Sequence, residues 1–198
     1  MGTSKQPSKY DTGVIHGRFQ ILHNDHLAYL LAGKDLCDHL VVGITNPDPF
    51  LTRTESADPQ RSHPAKNPLT YYERHVMVRQ SLFEAGLQWP EFTIVPLPIN
   101  LPDRYRFYVP LDAVFFLTIY DDWGRRKLEY FQSLGLATHV LREVPPREKG
   151  LSAGEIRERI ISDRSWEHLV PSCVPPLMAK WGIPDRLKRL RDAADQVM

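Results

Sequence analysis

Cysteine is scarce in this 198-residue sequence: only Cys37 and Cys173 occur, far apart and in no metal-ligand spacing. That leaves out a disulfide-stapled scaffold and a cysteine-built zinc site, and it suits two buried thiols in a reducing compartment. An excess of one charge is missing too. Lysine and arginine total 25 against 24 acidic residues, so the chain lacks the broad positive field that draws in a nucleic-acid backbone. No stretch approaches the ~20 apolar residues of a membrane span, and residues 1–9 are polar with no apolar signal core. These absences set the expectation of a cytoplasmic protein with neither nucleic acid nor a membrane as partner. No G-x-G-x-x-G follows any apolar run, which counts against a dehydrogenase. Internal repeats and low-complexity tracts are also lacking.

What is present is 42% apolar residues, enough for the core of one domain. Short apolar runs alternate with longer amphipathic ones, the pattern of an α/β protein whose parallel sheet is wrapped by helices. Five strands are expected, at 12–17, 39–44, 92–97, 113–117 and 138–142, each rich in β-branched or aromatic residues. Helices fill the gaps: one over 24–36, and one opening at Thr70 with Glu73 in capping-box spacing and stopping at Gly86. Another runs from Asp121 to close on Gly135, and one opens at Ser152 with Glu155 again three residues on. The prolines after Trp166 should divide the tail into short helices. The division expected is a flexible N-terminus over 1–11, a main domain over 12–165 and a helical C-terminal extension of it over 166–198. Residues 46–68 form a long aperiodic segment after the second strand, at the sheet edge where α/β proteins bind ligands; it reads equally as a lid or an idle insertion.

The first strand ends at Gly17, and a helix starts near Asn24. Backbone N–H groups aimed over a strand end, with the helix dipole behind them, suit phosphate. A glycine there would let a phosphate approach the main chain closely. His23 and His26, three apart, can project together from the first helical turn and donate to an α-phosphate and a leaving oxygen. Two surface histidines at a helix start are the plain alternative; the position after a strand and a glycine favours the phosphate reading. No nucleophilic side chain is needed where an acceptor supplies the attacking oxygen, because alignment and charge neutralisation suffice.

The segment Gly17-Arg18-Phe19-Gln20-Ile21-Leu22-His23-Asn24-Asp25-His26 resembles the GRFQPxHxGH motif of the nicotinamide-nucleotide adenylyltransferases, especially the archaeal type, within the nucleotidyltransferase superfamily that also holds the cytidylyltransferases. Lys66-Asn67-Pro68-Leu69-Thr70, leading to Glu73-Arg74, is similar to the family's KNPFT..ER segment. Leu151-Ser152-Ala153-Gly154-Glu155-Ile156-Arg157 is similar to its ISxTEIR segment, and Trp166 to Pro171 extends the match. The resemblance implies a Rossmann-like fold and NTP contacts from Gly17, Arg18, Phe19, Gln20, Ser152 and Ile156. It further implies that His23 and His26 stabilise the transferred phosphoryl group while Arg157 and Ser152 meet the leaving pyrophosphate. Read without the family, Ser152 is a helix cap and Arg157 a solvated arginine, although both are anion-binding parts.

Departures from the motif are concentrated in two places. Asp25 stands where the family has glycine, and Gly154 where it has threonine. A carboxylate beside a triphosphate is repelled unless it turns outward, caps the helix or works through a divalent cation; direct metal ligation is otherwise not expected of the protein. The second place is the stretch from Leu117 to Lys127, in place of a short T-G-N turn. Tyr120, Asp121 and Trp123 can hold a base, ribose or acceptor, and Arg125, Arg126 and Lys127 can meet phosphate, or the stretch is a capped helix with a basic face. Tyr105, Phe107 and Tyr108 lie near where the family contacts nicotinamide, with Tyr108 the candidate acceptor contact and core packing the alternative. The leading expectation is AMP transfer from ATP to nicotinamide mononucleotide or a related phosphate-bearing acceptor, with Mg²⁺ shielding the triphosphate. A CTP-dependent cytidylyltransferase for a phosphate or phosphonate, and a non-catalytic nucleotide sensor, are the rivals; a homo-oligomer is left open.

Overall fold

The apolar runs do form strands. The computed structural model describes residues 9–51, 66–148 and 150–195, and in it five strands build one parallel sheet. They are β1 (Tyr10–Gly17), β2 (Cys37–Thr45), β3 (Phe92–Leu97), β4 (Val114–Ile119) and β5 (Thr138–Glu143), in the order β3-β2-β1-β4-β5. β1 starts earlier than expected, with Tyr10 in register opposite Cys37. The reason is an anchor: the Tyr10 ring packs edge-on against Phe116 at 5.9 Å, and its hydroxyl lies 3.1 Å from His139 Nδ1. Tyr10 and Asp11 therefore belong to the sheet rather than to a flexible terminus; residues 1–8 lie outside the described part.

Around the sheet lie α1 (Asn24–Lys34), α2 (Tyr71–Glu84), α3 (Asp122–Ser133), α4 (Ala153–Ile161), α5 (Val174–Lys180) and α6 (Ile183–Asp195). The capping box of α2 closes in both directions, with Glu73 N–H donating to Thr70 Oγ1 at 3.2 Å and Thr70 N–H to the Glu73 carboxylate at 2.8 Å. The one at α4 is half made: Ser152 Oγ accepts from the Glu155 amide, but the Glu155 carboxylate turns to Arg159 at 3.0 Å. Gly86 and Gly135 take positive φ just beyond α2 and α3, as helix-stopping glycines do.

Side chains alternate across the strands and feed two apolar layers. Ile15, Val42 and Phe116 face one layer, which also receives Leu30, Met77, Ile156, Met178 and Leu187; Val14, Val41 and Phe115 face the other, with Tyr105, Leu117 and Phe131. The C-terminal helices thus share the core of the sheet. Connections leave β1 in one direction and β4 in the other, so the strand order reverses between them, the place where open α/β sheets bind ligands. β1 and β4 pair at Gly13–Val114 and Val14–Phe115. Beyond that pairing, His16 and Gly17 on one side and Leu117 and Thr118 on the other line a cleft of about 910 Å³.

Candidate active site

The first turn of α1 builds one wall of the cleft. His23 is the N-cap, and its Nδ1 accepts the His26 amide hydrogen at 3.3 Å. With Nδ1 accepting, the proton of a neutral ring sits on Nε2, which becomes a donor. The two imidazoles stack with centroids 3.6 Å apart, and the Phe19 ring packs edge-on against His26 at 5.2 Å. Burial lowers the His23 pKa to about 4 against the opposing pull of Asp25. Burial, then the adjacent His23, push His26 well below its ordinary value, while a hydrogen bond with the Ile21 backbone opposes them. Both rings are therefore neutral donors at neutral pH. His26 Nδ1 is buried with no hydrogen-bond partner among the described residues.

The loop before α4 builds the facing wall, and the two meet. Arg157 Nη1 donates to the Gln20 carbonyl, and Asp25 Oδ2 accepts from the Leu151 amide at 2.7 Å. Burial, then Arg18, lower the Arg157 pKa to about 10, leaving it cationic. Leu151, Ser152, Gly154 and Arg157 line the same cleft as Gly17, Arg18, Phe19, Gln20, His23 and His26. The end of β4 and the start of α3 close the third side with Thr118, Tyr120, Asp121, Trp123, Arg126 and Lys127.

Neither half of this arrangement contains a side-chain nucleophile set against a base. It offers neutral donors, a helix N-terminus and guanidinium groups around a space large enough for a nucleotide and a small second molecule, which is machinery for holding charged phosphates in line. Similarity to known proteins agrees. A phosphonoformate cytidylyltransferase of Streptomyces viridochromogenes is 49% identical over 177 residues, 89% of this chain and 95% of that protein. The chain belongs to the nucleotidyltransferases. A nicotinamide-nucleotide adenylyltransferase of Thermococcus onnurineus is 31% identical over 179 residues, 90% of this chain and 87% of its own. The fold matches the crystal structure of a bifunctional NMN adenylyltransferase/ADP ribose pyrophosphatase from Francisella tularensis with a TM-score of 0.67 at 16% identity; 94% of this chain covers 55% of that one, about half its length. No protein-family model matches the chain. Membership makes this nucleotidyltransferase an enzyme and sets aside the non-catalytic sensor.

Several expected contacts have other duties in the nucleotidyltransferase. The Gln20 side chain is buried and clasps the Leu69 peptide, donating to its carbonyl at 3.1 Å and accepting from its amide at 2.9 Å, which fixes the start of α2. Ile156 is wholly buried in the apolar layer, and its N–H goes to the Ser152 carbonyl. Gly17 lines the cleft and is also required by a side chain, since a Cβ there would meet the Phe19 ring at 2.8 Å. Asp25 does not cap α1, because His23 does. Tyr108 packs against the apolar layer that contains Tyr105 and Phe131 and does not line the cleft. Tyr105 is buried, its hydroxyl donating to the Ile99 carbonyl at 2.5 Å, while Phe107 is exposed. Arg125 leaves the basic group for a surface ion pair with Glu143 at 2.5 Å. Asp121 caps α3 through Gly124 N–H at 3.0 Å while lining the cleft. Of the segment 46–68, Asn46 lines the cleft; residues 52–65, which carry most of the expected lid, lie outside the described part.

Two residues were given no role from the sequence, although Arg74 stands in a segment that matches the family. Arg74 is almost wholly buried and donates to the carbonyls of Thr45 and Asn46 at 2.7 Å, Arg18 at 2.9 Å and Thr70 at 3.2 Å, tying the ends of β1 and β2 to α2. His16, the polar residue after Val14 and Ile15 at the end of β1, lines the cleft floor. That position was its only signal.

Proposed function

We propose that this nucleotidyltransferase moves CMP from CTP to a small phosphonate, phosphonoformate or a close analogue, and releases pyrophosphate. The observation that supports CTP and a phosphonate is the 49% identity running over 95% of the Streptomyces relative. An ionised phosphonate oxygen attacks the α-phosphorus. The new P–O–P bond forms as the α–β bridge breaks, and the electron pair leaves with pyrophosphate. His23 Nε2–H and the His26 ring donate to the α-phosphate oxygens, where negative charge gathers, and Arg157, Arg18 and Ser152 hold the departing pyrophosphate. Among the described residues no group of three or more His, Cys, Asp or Glu gathers as a metal site, and the Asp25 carboxylate is engaged by Leu151. A divalent ion, Mg²⁺ in this reading, enters on the triphosphate as part of the substrate, held by its oxygens.

A second reading, AMP transfer from ATP to nicotinamide mononucleotide, draws on the 31% identity to the Thermococcus enzyme and on Trp123, whose ring at the cleft edge can stack on a base. One screen separates them: pyrophosphate release from ATP, CTP, GTP and UTP against phosphonoformate, nicotinamide mononucleotide and nicotinate mononucleotide. CTP with phosphonoformate should exceed every other pair by at least about tenfold in kcat/KM. ATP with a mononucleotide as the best pair would overturn the CTP reading, and silence with all pairs would overturn the transfer itself.

A further inference from the structure

At the cleft floor, the next-to-last residue of β1 carries a polar side chain with an unmet need. His16 is 7% exposed, and its Nδ1 is buried without a hydrogen-bond partner among the described residues. Backbone and side-chain groups left in that state are rare in native interiors, and a site that binds a polar ligand is one of the few settings that explains them. Its ring rests on Phe131, with centroids 5.4 Å apart. Trp123, Lys127 and Phe131 follow one another at intervals of four along α3 and so share a face, the face turned to the cleft. The Lys127 ammonium lies 4.8 Å from the Trp123 ring centre and 5.8 Å from that of Phe131. It is thus held over two aromatic faces on the cleft wall beside His16. Burial first, then the Lys127 charge, keep the His16 ring neutral, so it can hydrogen-bond an anion without carrying charge of its own.

We infer that His16 Nδ1 and the Lys127 ammonium form a subsite for a second acidic group on the acceptor, a carboxylate borne beside the phosphonate that attacks. The inference rests on the proposed transfer to a small phosphonate and names the part of that acceptor which the floor recognises. Phosphonoformate has such a group, its carboxylate bonded directly to phosphorus. The neutral imidazole supplies one directional N–H, and the lysine supplies the counter-charge. An acceptor lacking the acid offers Nδ1 no anionic partner, and that difference selects against it.

Acceptor preference tests the subsite. With CTP saturating, the kcat/KM ratio of phosphonoformate to methylphosphonate, which lacks the carboxylate, should fall about 10- to 100-fold in His16→Phe, the loss of one hydrogen bond to a charged oxygen. The loss should lie mainly in KM. His16→Asn, whose amide nitrogen falls near the place of Nδ1, should recover most of the ratio, and Lys127→Met should lower it. An unchanged ratio in His16→Phe, or equal losses with both acceptors, overturns the subsite. A second readout needs no turnover: the Nδ1 nitrogen resonance of His16 in the wild-type protein should shift on adding phosphonoformate and not on adding methylphosphonate, and no shift overturns the subsite. A wild-type protein that gives the shift yet releases no pyrophosphate from CTP rejects the proposed transfer while retaining the subsite.

Discussion

Asp25 Oδ2 accepts a hydrogen bond from the Leu151 amide at 2.7 Å, a contact between residues 126 positions apart. It joins two turns that line the cleft, the one that opens α1 and the one that opens α4. It also explains how a carboxylate is tolerated where glycine stands in the motif this chain resembles, because an amide dipole meets the charge before any phosphate does. Gly150 completes the arrangement: with φ at 73°, it has no room for a Cβ against the Asp25 carboxylate.

That contact is testable. Asp25→Asn keeps an oxygen for the Leu151 amide and should leave the KM for NTP close to wild type, whereas Asp25→Ala should raise it roughly three- to tenfold, as expected for an exposed charge-assisted hydrogen bond. Steady-state kinetics with varied NTP read it. A gain in NTP affinity on removing the carboxylate would show that Asp25 acts by repulsion instead.

His26 is assigned to the transition state. His26→Ala should lower kcat by about 100- to 1000-fold while moving the NTP dissociation constant by less than about threefold. Calorimetric titration of NTP beside single-turnover rates checks the split; equal losses in both would place His26 in ground-state binding.

Neutral histidines set the pH behaviour. Burial lowers His23 to about 4, and His16 and His26 lie well below the ordinary histidine value. The unfolded chain therefore binds protons on these rings below about pH 6.5 where the folded one does not, so stability is full above that pH and falls as pH drops through it. Replacing one ring, as in His16→Phe, should flatten the fall in Tm between about pH 7 and about pH 5. For the same reason any loss of kcat/KM between about pH 8 and about pH 6 should follow protonation of the free CTP and phosphonate, and the histidines should add no loss of their own with an apparent pKa near 6.5.

Arg74 holds four backbone carbonyls from inside the core. Arg74→Lys keeps the charge but cannot span that fork, and should destabilise the fold by about 2–5 kcal/mol in urea unfolding. A change within about 0.5 kcal/mol would mean that these carbonyls find other donors.

Local signals located most of the fold. The apolar runs marked five strands, Thr70 with Glu73 and then Gly86 bounded α2, and Asp121 and Gly135 bounded α3, because strand burial and helix capping act over a few residues. The site was legible in part. His23, His26, Ser152 and Arg157 share one cleft, as spacing and motif led one to expect. Residues that turned out to have other duties are governed by contacts across the chain: Gln20 clasps Leu69 from 49 positions away, and Gly17 yields space to a ring that only the left-handed backbone of Phe19, at φ 51°, folds back over it. Sequence carries no local mark of such pairings. His16 is the instructive case, since a polar residue after Val14 and Ile15 at the end of β1 was visible, while its missing hydrogen bond was not.

Attack by a phosphonate oxygen of the acceptor on the α-phosphorus is the central claim, and an oxygen label follows it. Phosphonoformate carrying ¹⁸O in its phosphonate group, incubated with CTP and Mg²⁺ and read by ³¹P NMR, should place the label in the bridge of a new P–O–P anhydride and leave pyrophosphate unlabelled. Labelled pyrophosphate, or no anhydride at all, would contradict the account.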